Sequence, residues 1–262
     1  MAWHTGSWGA LAAGQFHSIL DTYLCANSHW TLYDPAAEAN IKVYECRDDD
    51  IGCLFYVSIY DGSSAAMVVQ IWEGWNATTH AGVGVSRKWP TTAYTFRISK
   101  AVGGWSLSAH DHHFIFISAN WFGHFVGRPA LYDESKNIVL FCGSANTPSQ
   151  NPLSYSQTGA DANGAWWCFL FDENGSQTNA MNGEGSGVSY AQTKYIKGID
   201  GKYHFQESTV KNRTTGKLVG YLPGVASLGI LSSGLVSGDI ITVDGVDWIV
   251  NIVTQASIVR KD

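Results

Sequence analysis

Charged residues are scarce in this chain. Only 15% of its 262 residues are Asp, Glu, Lys or Arg, and the formal net charge is -6 with 16 basic side chains. Proteins that bind nucleic acid through its phosphates need clustered Lys and Arg, so nucleic acid is not an expected partner. Disordered chains are typically rich in charge and proline and poor in aromatic residues, whereas this one has 6 Pro and 13% aromatics, which predicts a folded protein.

Long apolar segments are also missing. No window of about 18 uninterrupted apolar residues occurs, so no membrane-spanning helix and no membrane partner are expected. The segment Met1 to Trp8 lacks a basic stretch followed by an apolar run, which is the pattern of a cleaved export signal. We therefore expect synthesis in a cytoplasm without a signal peptide.

The cysteines show no metal-binding or redox spacing. There are five, at Cys25, Cys46, Cys53, Cys142 and Cys168, and no CxxC pair among them. This excludes a zinc ribbon or a thioredoxin-type site. Buried free thiols are the expected state, and one or two disulfides are the alternative, with Cys46 and Cys53 able to meet across a hairpin.

Catalytic motifs are absent as well. The segment Gly183-Glu184-Gly185-Ser186-Gly187 misses the G-x-S-x-G register of hydrolases, and Gly82-Val83-Gly84-Val85 lacks the third glycine of a dinucleotide-binding loop. No pair of carboxylates stands out as a glycosidase site. We predict a non-enzymatic protein with no catalytic residue and no cofactor, and a hydrolase with an unrecognised site remains an alternative.

Four histidines are the strongest candidates for metal ligands: His110, His112, His113 and His124. In a strand His110 and His112 share one face and His113 points away, so at most two imidazoles, joined by His124 from a paired strand, would converge. No carboxylate clearly completes the set. We predict polar strand-entry histidines and no metal, and a solvated loop at Asp48-Asp49-Asp50, which lacks the further ligands of a calcium loop.

Aromatic residues are abundant, with 11 Trp, 12 Tyr and 11 Phe. We expect some of these Trp in grooves or at subunit contacts and not all of them within one core. Several would alternatively stack on sugar rings: Trp72, Trp75, Trp89, Trp105, Trp166 and Trp167.

The fold class predicted is α+β, predominantly antiparallel β and sandwich-like, with one N-terminal amphipathic helix. Between Gly14 and Leu24 the apolar residues follow the i, i+3, i+4 spacing of a helix with one buried stripe, at Phe16, Ile19, Leu20, Tyr23 and Leu24. Alternating β-rich runs predict strands over most of the remainder, with a turn at Asp34-Pro35 and a C-terminal hairpin around Asp244-Gly245.

Two regions differ in texture. Residues 1–155 are predicted to form a β-rich core domain with an N-terminal arm and helix. Residues 156–262 are predicted to form a loop-rich extension that ends in the hairpin, either as a separate unit or as part of the same domain. The aromatic run from Asp111 to Val126 predicts one long strand before a Gly127-Arg128-Pro129 turn, and Phe114, Phe116 and Ile138 to Phe141 are expected to hold the fold.

Part of this pattern resembles a family of tailed-bacteriophage virion proteins. Its members begin with a polar arm and a Leu-rich helix, continue with a Trp-rich middle, and place an apolar strand before a small-residue loop that contains Pro. In this chain the run Phe114 to Ser118, followed by Gly127-Arg128-Pro129, takes the place of that strand, and Ser144 to Ser149 takes the place of that loop. The segment Tyr132 to Ser144 also belongs to the resemblance. The resemblance covers residues 1 to 155.

The resemblance implies a structural subunit of the phage virion, in the tail baseplate or tail tip, assembled in symmetric copies. Its partners would be other phage tail proteins and copies of itself. The N-terminal arm Ala2 to Gly9, expected to become ordered only on a partner, and the C-terminal hairpin are the candidate contacts. A carbohydrate-binding or receptor-binding module of the tail, with a host-surface glycan as ligand, is the alternative.

Overall fold

The computed structural model describes the chain in segments. They are residues 2–62, 66–83, 96–119, 123–132, 139–143, 167–171, 177–178, 183–184, 189–190, 196–197, 203–204, 207–211, 218–227, 234–252 and 256–261. Within these residues the protein is predominantly antiparallel β with a single short helix, so the coarse fold class is confirmed. The Trp89 and Trp166 positions, the Ser144 to Ser149 loop and the glycine-rich segment around Ser186 lie outside the described residues.

The N-terminal half contains the helix and the first twelve strands. They are β1 (Ala2–Trp8), α1 (Gln15–Ile19) continued by a π-helical turn (Leu20–Leu24), β2 (Trp30–Glu38), β3 (Ile41–Asp48), β4 (Cys53–Tyr60), β5 (Ala66–Trp72), β6 (Gly74–Asn76), β7 (Ala81–Val83), β8 (Phe96–Ser99), β9 (Gly103–Ala109), β10 (His113–Ile117), β11 (Gly123–Gly127) and β12 (Ala130–Leu131).

Twelve further strands follow in the described part of the C-terminal half. They are β13 (Val139–Gly143), β14 (Trp167–Phe171), β15 (Gln177–Thr178), β16 (Gly183–Glu184), β17 (Ser189–Tyr190), β18 (Ile196–Lys197), β19 (Tyr203–His204), β20 (Glu207–Lys211), β21 (Leu218–Ser227), β22 (Ile240–Val243), β23 (Val246–Ile252) and β24 (Ala256–Arg260).

Most strands belong to three antiparallel sheets. The seven-stranded sheet has the order β1-β9-β10-β11-β13-β14-β15, and the five-stranded sheet has the order β2-β3-β4-β5-β8. The six-stranded sheet has the order β12-β21-β24-β23-β22, with β20 also paired to β21. Two of these sheets combine strands from both sides of residue 155, through the pairs β13–β14 and β12–β21. The division into two domains stays a prediction.

The largest hydrophobic cluster is shared between the helix and two of the sheets. It contains Phe16 and Leu20 from the helical segment, Phe55 from the five-stranded sheet, and Phe114 and Phe116 from the seven-stranded sheet. All five side chains have no exposed surface, which confirms the expectation for the two phenylalanines of β10. The side chains of β13 lie outside the described residues.

The helical segment begins one residue later than the spacing predicts. Gly14 is the N-cap residue and adopts a left-handed backbone with φ 77°, and the α-helical turn changes to a π-helical turn at Leu20. Four residues of the predicted stripe are buried, and Tyr23 is half-buried with its ring stacked on that of His4 at 4.0 Å. His17 is buried too, and its ring nitrogen Nε2 lies 2.8 Å from the carbonyl oxygen of Ile59.

The predicted turn at Asp34-Pro35 is wrong. These residues lie within β2, which among the described strands lies at the edge of its sheet and has register shifts around Asp34 where it pairs with β3. Proline is tolerated there because edge strands and bulges do not need its missing N–H. The chain instead reverses at Ala39 and Asn40, where Asn40 takes the left-handed conformation with φ 62°.

The aromatic run after Asp111 is two strands and not one. His113 to Ile117 forms β10, and Gly123 to Gly127 forms β11, which pairs with β10 in antiparallel register. The hydrophobic pattern does not reveal this reversal, because both strands are buried along their whole length.

The predicted C-terminal hairpin is confirmed. β22 and β23 pair around Asp244 and Gly245, which have φ 53° and 81°. The expectation that the N-terminal arm orders only on a partner is wrong, because Ala2 to Trp8 pairs with β9 of its own chain over seven residues.

Three cysteines in the described part form no disulfide. Cys46 and Cys53 are buried on the adjacent strands β3 and β4, and Cys25 is half-buried. Burial raises the pKa of Cys25 to about 11 and raises that of Cys46 further. Both thiols are therefore protonated at neutral pH, as expected of packed, unreactive cysteines.

Candidate functional site

A tight turn between β9 and β10 brings two of the four predicted histidines together. The His110 N–H donates to the His113 carbonyl at 2.9 Å, which leaves Asp111 and His112 at the tip of the turn. The His110 and His113 rings stack at 4.0 Å, and His113 stacks in turn on Phe125 at 4.4 Å. The prediction that His110 and His112 share a strand face is wrong because the turn breaks the alternation.

The stacked pair is buried and uncharged. Burial lowers the pKa of His110 to about 4 and holds that of His113 well below its ordinary value. The Ser108 hydroxyl lies 2.9 Å from His110 Nε2 and gives this ring a polar partner. His124 is fully buried on β11 but is not part of this stack. Its neighbour Phe125 stacks on His113, and successive side chains of a strand point to opposite faces, so the His124 side chain points away from the stack.

His112 meets two residues that the sequence analysis did not connect with it. Its Nε2 lies 2.7 Å from Asp48 Oδ2, and His29 Nδ1 lies 3.8 Å from the same oxygen. The His29 and His112 rings meet edge to face with centroids 5.3 Å apart. One potential ligand atom from each of the three residues lies within 4.8 Å of the others, which is a spacing that a single ion can bridge.

The prediction of a solvated loop fails at Asp48 and holds at Asp49. The Asp48 side chain is 12% exposed, whereas that of Asp49 is 84% exposed. The hydrogen bond from His112 holds the pKa of Asp48 below its ordinary value. Asp48 ends β3 and points back at the turn between β9 and β10, so it belongs to the site and not to the solvent-facing loop.

Part of this grouping could have been found from the sequence. His29 precedes β2 and Asp48 ends β3, and the pairing of Trp30 with Cys46 in that hairpin places the two side chains near one another. The approach of His112 depends on how the β2–β3 hairpin packs against a turn more than sixty residues later in the chain, and no local pattern encodes that packing.

A cavity of about 320 Å³ opens beside His112. Its lining includes Arg128, which is 3% exposed and whose backbone N–H donates to the His112 carbonyl at 2.8 Å. The lining consists of Ile51, His110, Asp111, His112, His113, Arg128, Pro129, Ala130 and Pro223. It combines imidazole, carboxylate and guanidinium groups at a junction of the seven-stranded and six-stranded sheets.

The tryptophans proposed for sugar stacking are differently placed. Trp105 is 8% exposed and belongs to the main core, so it offers no open face. Trp72 and Trp75 are half-buried, and their indole N–H groups donate to Ser58 Oγ at 2.9 Å and to Asp34 Oδ2 at 2.8 Å. Both polar edges are thus already bonded within the chain.

Comparison with protein-family models, with curated proteins and with solved structures gives no match to this chain. Within the described residues, no helix has the length and apolar character needed to cross a membrane.

Proposed function

We propose that the chain is a non-enzymatic structural subunit of a phage tail, in the baseplate or tail tip. We propose further that it folds as a β-sandwich closed by its amphipathic N-terminal helix, and that it acts through contacts with copies of itself and with other tail proteins. The main support is a contrast between three edge strands of its sheets: β2 is protected against further pairing, whereas β1 and β22 are not.

The protected edge is β2. It carries Asp34, Pro35 and Glu38 and is interrupted by register shifts where it pairs with β3. Charges, proline and bulges are the usual means by which edge strands avoid pairing with another chain. The five-stranded sheet is therefore closed to strand addition on this side.

The first unprotected edge is β1. All seven of its residues pair with β9, and no described strand pairs with its other side. The strand contains no Lys, Arg, Asp, Glu or Pro, and Thr5 and Ser7 are exposed. An edge of this length and polarity is a template for a strand of another copy.

The second unprotected edge is β22, at the margin of the six-stranded sheet. Among the described residues it pairs only with β23, and it too lacks charge and proline. Its first residue, Ile240, is 51% exposed, and nearby Val236 is 64% exposed. Pairing of β1 in one copy with β22 in the next would be a heterologous contact, and such contacts close into rings when the rotation permits.

A charge placed on β1 tests this proposal. We expect the purified chain to be oligomeric by light scattering coupled to size exclusion, and Thr5→Lys to shift it toward the monomer, because a lysine at the edge must be desolvated when a strand is added. Thr31→Lys is the matched control, since Thr31 is also an exposed threonine on an edge strand, the protected β2.

The proposal fails if the wild-type chain stays monomeric at high concentration, or if Thr5→Lys and Thr31→Lys change the mass equally. Its phage assignment has a separate test. Mass spectrometry of purified phage particles that encode the chain should detect it in tails, and its absence from the particles would contradict a virion role.

A further inference from the structure

The cluster of His29, Asp48 and His112 has the composition of a transition-metal site. Two imidazoles and one carboxylate form the donor set used for zinc and related divalent ions, with positions left for water. Calcium and magnesium prefer sets made of oxygen ligands alone. We propose that these three side chains bind a single divalent transition-metal ion of the zinc class.

The spacing of the donor atoms is close to what such an ion requires. Zinc bonds of about 2.1 Å in tetrahedral geometry place two ligand atoms about 3.4 Å apart. The observed separations from Asp48 Oδ2 are 2.7 Å to His112 Nε2 and 3.8 Å to His29 Nδ1. They bracket the required value, so shifts of roughly half an ångström at these two contacts, within the reach of side-chain rotation, would admit the ion.

Neighbouring groups already orient the carboxylate. The backbone N–H of Asp50 donates to Asp48 Oδ1 at 3.0 Å, which leaves Oδ2 directed at the two histidines. Hydrogen bonds of this kind fix ligand orientation in known metal sites and contribute to affinity.

The histidines are held by their surroundings as well. The His29 backbone N–H donates to Asn27 Oδ1 at 3.0 Å, and its ring Nδ1 lies 3.1 Å from the Arg47 carbonyl oxygen. Asn27 in turn donates to Asp111 Oδ1 at 2.8 Å, beside His112 in the turn between β9 and β10. The segment before β2 and this turn are thus joined without a metal. To receive an ion, His29 Nδ1 must exchange its contact with the Arg47 carbonyl for the metal, and His112 Nε2 must give up its hydrogen bond to Asp48, because a ring nitrogen binds a metal only in its deprotonated form.

The site is accessible from solvent. The side chains of His29 and His112 are 31% and 25% exposed, and His112 also lines the cavity described above. An ion can therefore enter without unfolding of the chain, and water can complete its coordination.

The ion would link the two sheets that share the main core. His29 and Asp48 flank the first two strands of the five-stranded sheet, and His112 lies between β9 and β10 of the seven-stranded sheet. Because a ligand that binds only the folded state stabilises it, the metal should raise the unfolding temperature. A free zinc concentration about 100 times the Kd would raise it by roughly 5 to 10 °C.

The test uses the full chain after removal of metals with a chelator. We expect one equivalent of Zn²⁺ to bind by calorimetry, to raise the unfolding temperature, and to be displaced by EDTA. Co²⁺ should give visible d–d absorption without a thiolate charge-transfer band, because the ligands are nitrogen and oxygen and not the nearby cysteines. A thiolate band, or no binding at all, would overturn the proposal.

Single substitutions locate the ion. His112→Ala and Asp48→Asn should each weaken Zn²⁺ binding at least tenfold, since loss of even an outer-sphere partner costs about 10-fold to 100-fold. His80→Ala is the matched control, because His80 also contacts an aspartate, Asp34 at 2.8 Å, but has no second histidine in that contact. Unchanged affinity in His112→Ala, or equal losses in His80→Ala, would contradict the site, and the wild-type Co²⁺ spectrum decides the question if a variant fails to fold.

Discussion

A buried ion pair joins distant segments of the chain at a single point. Lys100 Nζ lies 2.6 Å from Asp61 Oδ1, and both side chains are fully buried. Lys100 also donates to the Ala12 carbonyl at 2.6 Å, and Asp61 Oδ2 accepts the Phe16 N–H at 2.7 Å at the start of the helix. The carboxylate thus takes the place of the missing side-chain cap at Gly14.

Removal of one partner should be costly because the other charge would remain buried. We expect Lys100→Met to lower the free energy of unfolding by about 3 to 5 kcal/mol in urea denaturation. Lys42→Met is the control: it breaks the Lys42–Asp21 pair, whose side chains are 25% and 31% exposed, and should cost at most about 1 kcal/mol. Similar losses in the two variants would show that burial of the Lys100–Asp61 pair does not determine how much the pair contributes to the free energy of unfolding.

At the scale of elements, the attachment of β1 to β9 depends on a glycine. A methyl group at Gly6 would overlap the indole ring of Trp105, its partner in the register. That ring is buried and also packs near Trp8 and Tyr23, with centroids at 6.3 and 6.2 Å, so it has little room to move. Only a residue without a Cβ permits the strand to lie this close to the core.

Alanine substitutions at two glycines of this strand pair therefore distinguish the effect of the clash with Trp105 from the general effect of replacing a glycine in a strand. We expect Gly6→Ala to lower the free energy of unfolding by about 1 to 3 kcal/mol and to speed amide hydrogen exchange in β1. Gly104→Ala, across the same strand pair, should stay within about 1 kcal/mol of wild type, because its nearest neighbour would be the Gly6 carbonyl oxygen at 3.9 Å. Equal losses of unfolding free energy in Gly6→Ala and Gly104→Ala would mean that contact with Trp105 does not cause the loss.

At the scale of the whole molecule, buried neutral histidines should make the fold sensitive to acid. Burial lowers the pKa of His124 to about 3 and also lowers that of His17 below 6.5. The unfolded chain takes up protons near pH 6.5, whereas the folded chain takes them up only at lower pH. The contribution of each such histidine to the free energy of unfolding is therefore fully present above pH 6.5. It is lost as the pH falls, by up to about 1.4 kcal/mol per pH unit for each histidine.

Urea unfolding followed from about pH 8 to about pH 4 measures this slope. His124→Gln cannot take up a proton at this position, so we expect its slope between pH 6.5 and 4 to be smaller by up to one proton. Above pH 7 the free energies of unfolding of wild type and His124→Gln should differ by an amount that does not change with pH. A full slope retained in His124→Gln would show that this imidazole does not resist protonation in the folded state.

The features that could be predicted from the sequence depend on local spacing. The buried helical positions Phe16, Leu20 and Leu24 follow from a 3.6-residue period, and the turn at Asp244-Gly245 follows from the positive φ that it requires. The turn predicted at Asp34-Pro35 was wrong because a proline is tolerated in an edge strand, and the edge position of β2 depends on the order of strands in the sheet and not on the local sequence. The grouping of His29 and Asp48 with His112 depends on packing between two sheets, which no sequence window contains.

The pairing of β1 with β9 has a consequence for synthesis on the ribosome. The partner of Ala2 is Ala109, roughly a hundred residues later in the chain, so at about 5 to 20 residues per second β1 waits about 5 to 20 s before its partner exists. During that time the strand, with Trp3 and Trp8, is available to β9 of another nascent copy. Two nascent chains on neighbouring ribosomes of one message could thus exchange their first strands. Subunits joined in this way would be associated before either had finished folding.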